Sequence, residues 1–137
     1  MITGATGDFG RAFAKRFAAA GAKLVLHRRN AEKLKALQEE LGGKTHALEF
    51  DITDKDATIA QIAAIPEEFR AIDLLINNAG GALGLDKAHE AVLEDWEDMI
   101  EMNDKALVRI TRLILPGMVE RKKGHIINIG STAGNYP

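Results

Sequence analysis

Apolar runs rich in Ile, Val and Leu recur at Leu24 to Leu26, Ala47 to Phe50, Ile72 to Ile76 and Ile126 to Ile129. Short, continuous and bounded by polar residues, they read as buried strands of a parallel sheet. Between them the apolar positions take helical spacing, over Arg11 to Ala20, Ala31 to Leu41, Thr53 to Ile65, and a long segment from about Val92 to Arg121. Ala20-Gly21 and Leu41-Gly42-Gly43 supply stops for the first two helices, Thr53 or Asp54 a cap for the third, and Pro66 its end. Asn103 interrupts the long segment, which predicts two helices there. The second carries Leu107, Ile110, Ile114 and Met118 on one stripe, with a kink at Pro116. Met1-Ile2 reads as the end of a further strand. The alternation predicts an α/β fold, a doubly wound parallel sheet of five strands forming a single domain over residues 1–137.

Composition narrows the classes of function. The chain has 46% hydrophobic and 28% charged residues with a net charge of −2, the balance of a folded domain rather than a disordered one. Its basic residues cluster only at Arg28-Arg29 and Arg121-Lys122-Lys123, with no aromatic platform between them, so nucleic acid is not an expected partner. The absence of cysteine removes disulfides, thiolate zinc sites and cysteine nucleophiles. No apolar run reaches membrane-spanning length, and a cytoplasmic location without membrane contact is the expectation. The four histidines, His27, His46, His89 and His125, lack metal-ligand spacing. Trp96, Met99 and Ile100 fall at helical spacing and read as core or interface, and Asp54 and Asp56 suit a helix start.

The stretch "MITGATGDFG" places Gly4, Gly7 and Gly10 in the turn between the first strand and the first helix. In an open α/β sheet that turn is where a pyrophosphate binds: bare backbone approaches the phosphates, and the helix start offers unpaired N–H groups and a positive dipole end. A glycine-rich turn also serves simply to pack a helix close to its strand. The turn lacks the Gly-Lys-Ser/Thr ending of a triphosphate loop, which disfavours phosphoryl transfer. It also lacks the acidic residues that a receiver-type signalling domain carries after its first strand.

Taken together, "TGATGDFG", "NNAG" at 77–80, Asn103 and "IINIGSTAG" at 126–134 resemble the short-chain dehydrogenase/reductase family. The resemblance covers the whole chain and implies a Rossmann-like domain that binds NADP, with NAD the less favoured cofactor. Within the family, "NNAGGALGLDKAHEAVLEDWEDMI" and "LPGMVERKKGHIINIGSTAG" look most like the bacterial NADP-dependent 3-hydroxy acid dehydrogenases, which oxidise serine and allo-threonine. The implied chemistry is hydride transfer between nicotinamide and a small hydroxy acid or other alcohol or carbonyl substrate. A tyrosine acts as acid/base, and a lysine lowers its pKa.

The family's roles carry over position by position. Thr3, Gly4, Thr6, Gly7 and Gly10 match the turn over the pyrophosphate. Arg29 matches the basic residue set against the adenosine 2′-phosphate, where a guanidinium suits a dianion, although a surface arginine at a strand end is the alternative. Arg28, where the family has a small residue, either adds to that site or lies on the surface. Asp51 and Ile52 resemble the pair along the adenine, with Asp51 able to accept from the exocyclic amine or to serve as a cap. Asn78, Ala79 and Gly80 resemble the segment bordering the cofactor, and the Asn78 amide is equally suited to fastening neighbouring backbone. Ser131 matches the catalytic serine, and Asn103 the helix asparagine of the proton relay.

The resemblance also exposes departures. The Tyr-x-x-x-Lys helix is expected about a dozen residues after Ser131, and the chain ends six residues after it. Tyr136, followed by Pro137, has no lysine four positions on and is not assigned as the catalyst. A fragment lacking the C-terminal part of the domain and trimmed at its front is the expectation, inactive alone. The apolar surface over 104–121 would then be left exposed, whereas the full-length protein would form a homo-oligomer. Asp8 replaces the middle glycine of the turn, where a carboxylate would repel a pyrophosphate or, at the helix start, suit the dipole. Ala106 replaces a glycine after the helix asparagine. The absent tyrosine and Asp8 together motivate a second reading, a non-catalytic dinucleotide-binding or interaction domain.

Overall fold

The computed structural model describes residues 1–84 and 86–132. In chain order the elements are α1 (Asp8–Ala19), β1 (Leu24–Arg28), α2 (Ala31–Leu41), β2 (Thr45–Glu49), α3 (Lys55–Ala63), α4 (Glu67–Arg70), β3 (Leu74–Asn77), α5 (Leu93–Met99), a π-helical stretch (Ile100–Lys105), α6 (Ala106–Glu120) and β4 (His125–Asn128). Strands β1 and β2 pair in parallel with Leu24 opposite Thr45, and β3 and β4 with Leu74 opposite His125. Ile2 joins the two pairs through parallel bridges to Leu26 and Ile76. The order across the sheet is therefore β2, β1, Ile2, β3, β4, with the opening segment at its centre.

Alternation along each strand sends side chains to both faces, and helices cover both. Ala14, Leu34 and Leu37 from α1 and α2 pack with Ile2, Leu24, Leu26 and Ile76 on one side. On the other, Val25, Leu48, Phe50 and Leu75 meet Ala106, Ile110, Ile114 and Met118 of α6. Each fully buried aliphatic side chain is worth about 2 kcal/mol. The stripe expected on α6 forms, with Leu107 half-buried at its edge.

The stops and caps follow local chemistry. Gly21 and Gly42 take positive φ of 77° and 60° where α1 and α2 end. Asn30 Oδ1 accepts from Lys33 N–H at 2.8 Å and Asp54 Oδ1 from Ala57 N–H at 2.9 Å, capping α2 and α3. Asp54, not Thr53, is thus the cap of α3. Two expectations are corrected. Helix α1 begins at Asp8 rather than Arg11, because the glycine turn is tight enough to start it earlier. The long segment does not break at Asn103: its helix absorbs an extra residue in the π-helical stretch and continues as α6, past Pro116 to Glu120. The short α4 beyond Pro66 was not anticipated from the apolar pattern.

Candidate functional site

The opening turn lies at the carboxyl end of the sheet, held from both sides. Ala5 N–H donates to the His27 carbonyl at 3.0 Å and Thr3 N–H to the Ile76 carbonyl at 3.0 Å. Gly4 needs its missing side chain twice over, since its φ is +63° and a Cβ there would lie 3.0 Å from Ala79 Cα. At Gly10 a Cβ would sit 2.3 Å from the Gly4 carbonyl oxygen, so α1 approaches the turn more closely than any side chain allows. Gly7, by contrast, has φ −75° and precedes α1 in ordinary extended backbone. Asp8 is exposed in the first turn of α1, where its charge favours the helix dipole.

Thr3 ties this turn to the segment after β3. Its buried Oγ1 accepts from the N–H groups of Asn78 and Ala79, both at 2.9 Å. The Asn78 amide returns the link, donating to the carbonyls of Thr3 and Gly4 at 3.1 and 3.2 Å. The backbone-fastening role of Asn78 is therefore filled in this structure.

Gly4, Arg28, Arg29, Asp51, Ile52, Ala79 and Gly80 line one cavity of about 420 Å³, which His27, Met102 and Asp98 also border. Asp51 is fixed there: its Oδ1 accepts from the N–H and hydroxyl of Thr53 at 3.0 and 2.7 Å. Those two bonds, with Arg29 at 3.5 Å adding to them, hold its carboxyl below the usual carboxylate range. Arg109 of α6 anchors the corner from behind, donating to the carbonyls of Ile52 and Thr53 at 3.1 and 3.2 Å and pairing with Glu101 at 2.7 Å. Thr6 lies outside this cavity. Its Oγ1 is buried without a partner among the described residues, beside a smaller cavity of about 290 Å³ bordered by Arg11, Lys33 and Glu40.

Asn103, in the π-helical stretch, clamps the loop after β3. Gly81 N–H donates to its Oδ1 and its Nδ2 donates to the Gly81 carbonyl, both at 2.9 Å. Gly80 leaves room for that amide, since a Cβ there would meet Asn103 Oδ1 at 2.7 Å. Ala106 is fully buried against the sheet. Ser131 follows β4 at the same carboxyl end of the sheet, but neither it nor Asn103 lines the cavity. Tyr136 lies outside the described residues. At the ends of β3 and β4, the Asn77 amide donates to Thr111 Oγ1 and Asn128 Oδ1 at 3.0 and 2.8 Å, joining β3, α6 and β4.

Three residues of this site were not legible as site residues in the sequence. His27 is 3% exposed, with Nε2 3.1 Å from the Phe50 carbonyl and its ring centroid 4.3 Å from that of Phe50. Burial pushes its pKa down from 6.5 to about 4, leaving the ring neutral at pH 7. Thr53 and Arg109 act through hydrogen bonds to Asp51 and its neighbours, and only Thr53 carried a local signal, its Asx-type spacing from Asp51. Among the described residues no three His, Cys, Asp or Glu side chains group as a metal site, and no helix is long and apolar enough to cross a membrane. The expected exposed apolar surface is present, with Val108, Leu115 and Val119 of α6 facing outward, joined by Leu93, Trp96 and Ile100.

The short chain dehydrogenase family model matches residues 1–137. An NADP-dependent 3-hydroxy acid dehydrogenase from Salmonella typhi is 50% identical over all of this chain and 55% of its own length. A serine 3-dehydrogenase from Agrobacterium fabrum is 47% identical over the same shares. The solved closed form of a serine dehydrogenase complexed with NADP+ superposes with a TM-score of 0.94 at 48% identity, covering 100% of this chain and 56% of that one. The chain thus spans about half the length of the curated relatives it matches. With the doubly wound sheet, the glycine turn at its centre and a family match from end to end, the chain belongs to the short-chain dehydrogenase family.

Proposed function

We propose that this chain is the cofactor-holding part of an NADP-dependent oxidoreductase that moves hydride between nicotinamide and a small hydroxy acid. The observation that carries the reading is the cavity at the carboxyl end of the sheet. It is bordered by the turn at Gly4, a fixed carboxylate at Asp51, an apolar wall at Ile52 and two guanidinium groups. That lining suits a dinucleotide whose pyrophosphate meets the start of α1 and whose adenosine carries a phosphate. The relatives named for NADP and for 3-hydroxy acids or serine support both cofactor and substrate class.

In this reading NADP supplies the hydride acceptor. The chain's own residues bind and orient it: Gly4 and Gly10 let backbone reach the pyrophosphate, Asp51 accepts from the adenine amine, and Arg29 faces the 2′-phosphate. Ala79 and Gly80 border the nicotinamide side, where Ser131 donates a hydrogen bond to the substrate oxygen and Asn103 holds the backbone of the relay.

Titration of the 137-residue chain with NADPH, then NADH, followed by nicotinamide fluorescence alongside circular dichroism, tests the cofactor reading. Saturable binding that favours NADPH is expected. A folded chain that binds neither refutes it and leaves an interaction domain as the better account.

A further inference from the structure

Two parts of the cavity lining come from distant parts of the chain. One is the turn Asp51, Ile52, Thr53 after β2, and the other is Met102 of the π-helical stretch. Arg109 of α6, which is not itself part of the lining, joins them. Its Nη1 donates to the carbonyls of Ile52 and Thr53 at 3.1 and 3.2 Å, and its Nη2 to Glu101 Oε1 at 2.7 Å. The Arg109 side chain is only 16% exposed. Hydrogen bonds from Arg109, and then from Lys105 at 2.9 Å, hold the Glu101 carboxyl below the usual carboxylate range, so the pair is charged at neutral pH.

The π-helical stretch favours this join. Eight residues along a uniform α-helix displace two side chains by about 80° around its axis. The extra residue absorbed in the stretch that contains Glu101 turns that side chain back toward the face of Arg109. The guanidinium therefore has three oxygen acceptors on two segments, a fork that a single ammonium cannot reproduce. By holding the Thr53 carbonyl it also steadies the residue whose N–H and hydroxyl donate to Asp51 Oδ1 at 3.0 and 2.7 Å.

We infer that Arg109 is a positioning residue for the adenine end of the cavity: by clamping the Ile52 and Thr53 carbonyls to Glu101, it holds the Asp51 carboxylate where that group accepts from the exocyclic amine of the base. The inference rests on the reading of the cavity as a dinucleotide site and adds a residue, on another element, that acts on the ligand without touching it. It also gives the π-helical stretch a use at this end of the cavity, besides setting Asn103 against Gly81.

The test measures dissociation constants for NADPH and for its deamino analogue, in which hypoxanthine replaces adenine and a carbonyl replaces the exocyclic amine. Wild type, Asp51→Asn, Arg109→Met and Arg109→Lys are compared, with circular dichroism as the check on folding. The two ligands are identical outside the base, so their ratio cancels changes at the phosphates or in the fold as a whole. Wild type is expected to prefer NADPH about tenfold, the worth of one hydrogen bond to a charged acceptor, and Asp51→Asn to abolish the preference. Arg109→Met, which keeps the aliphatic stem, is expected to reduce the preference about threefold or more. Arg109→Lys, whose ammonium lacks the fork, is expected to fall between Arg109→Met and wild type. Weaker binding of both ligands by Arg109→Met with the preference intact marks a purely structural arginine and overturns the inference. If Arg109→Met fails to fold, Arg109→Lys carries the test alone, and a wild-type preference there overturns the inference. Equal wild-type affinity for the two ligands also overturns it while leaving the cofactor reading intact. No binding of either by the folded wild type overturns both.

Discussion

Lowering the pH is expected to destabilise this chain through His27. The Phe50 carbonyl can only accept, so the neutral ring carries its hydrogen on Nε2, which donates to it at 3.1 Å. Nδ1 is buried and has no partner among the described residues, so a second proton there has no acceptor. The pKa accordingly falls from 6.5 to about 4 in the folded chain. Between those values the unfolded chain binds more protons, so this part of the stability is complete above pH 6.5 and is lost as pH falls through 4. Linkage over that shift gives a loss of roughly 2.5 kcal/mol between about pH 7.5 and about pH 4.5. Urea unfolding of wild type and His27→Leu at both pH values measures it, because carboxylates away from His27, such as Asp73 and Glu40, titrate alike in the two proteins and cancel. Wild type is expected to lose about 2.5 kcal/mol more than the variant. A difference under about 0.5 kcal/mol would refute the reasoning, since it would mean that the buried ring accepts its proton as easily folded as unfolded.

Two further substitutions test the framework around the cavity. Gly10→Ala places a Cβ 2.3 Å from the Gly4 carbonyl, and is expected to lower stability by about 1–3 kcal/mol together with NADPH affinity; unchanged urea midpoint and affinity would show that the turn yields freely. Asn103→Ala removes both hydrogen bonds to Gly81, and is expected to cost about 1–3 kcal/mol and to speed amide hydrogen exchange at Gly81. Wild-type exchange there would count against the clamp.

The elements were legible because their signals are local. Periodicity of apolar residues, the Gly21 and Gly42 stops and the Asn30 and Asp54 caps all act within a few residues, and each appears in the structure where its chemistry placed it. The glycine turn was legible for the same reason, as an entropic cost that only a close backbone approach explains. Asn103 misled in form. A polar residue inside an apolar pattern read as a break, whereas a helix can widen by one residue and continue, and which of the two occurs depends on whether a partner lies opposite.

Everything that depends on two distant segments meeting was settled by tertiary structure alone. Gly10 lacks a side chain because of Gly4, but Gly4 does so partly because of Ala79, in a segment that Asn78 ties to Thr3 across 75 residues. Arg28 and Arg29 are adjacent and alike in the sequence. Only the assembled structure sets Arg29 3.5 Å from the Thr53-fixed carboxylate of Asp51, while Arg28 stands in register opposite Glu49. The sequence by itself determined the alternation, the caps and the family likeness, since these are encoded in neighbouring residues. Charge, burial and hydrogen-bond satisfaction in the cavity are properties of its assembled walls, and became readable only once the sheet brought Ile2, β1 and β3 side by side.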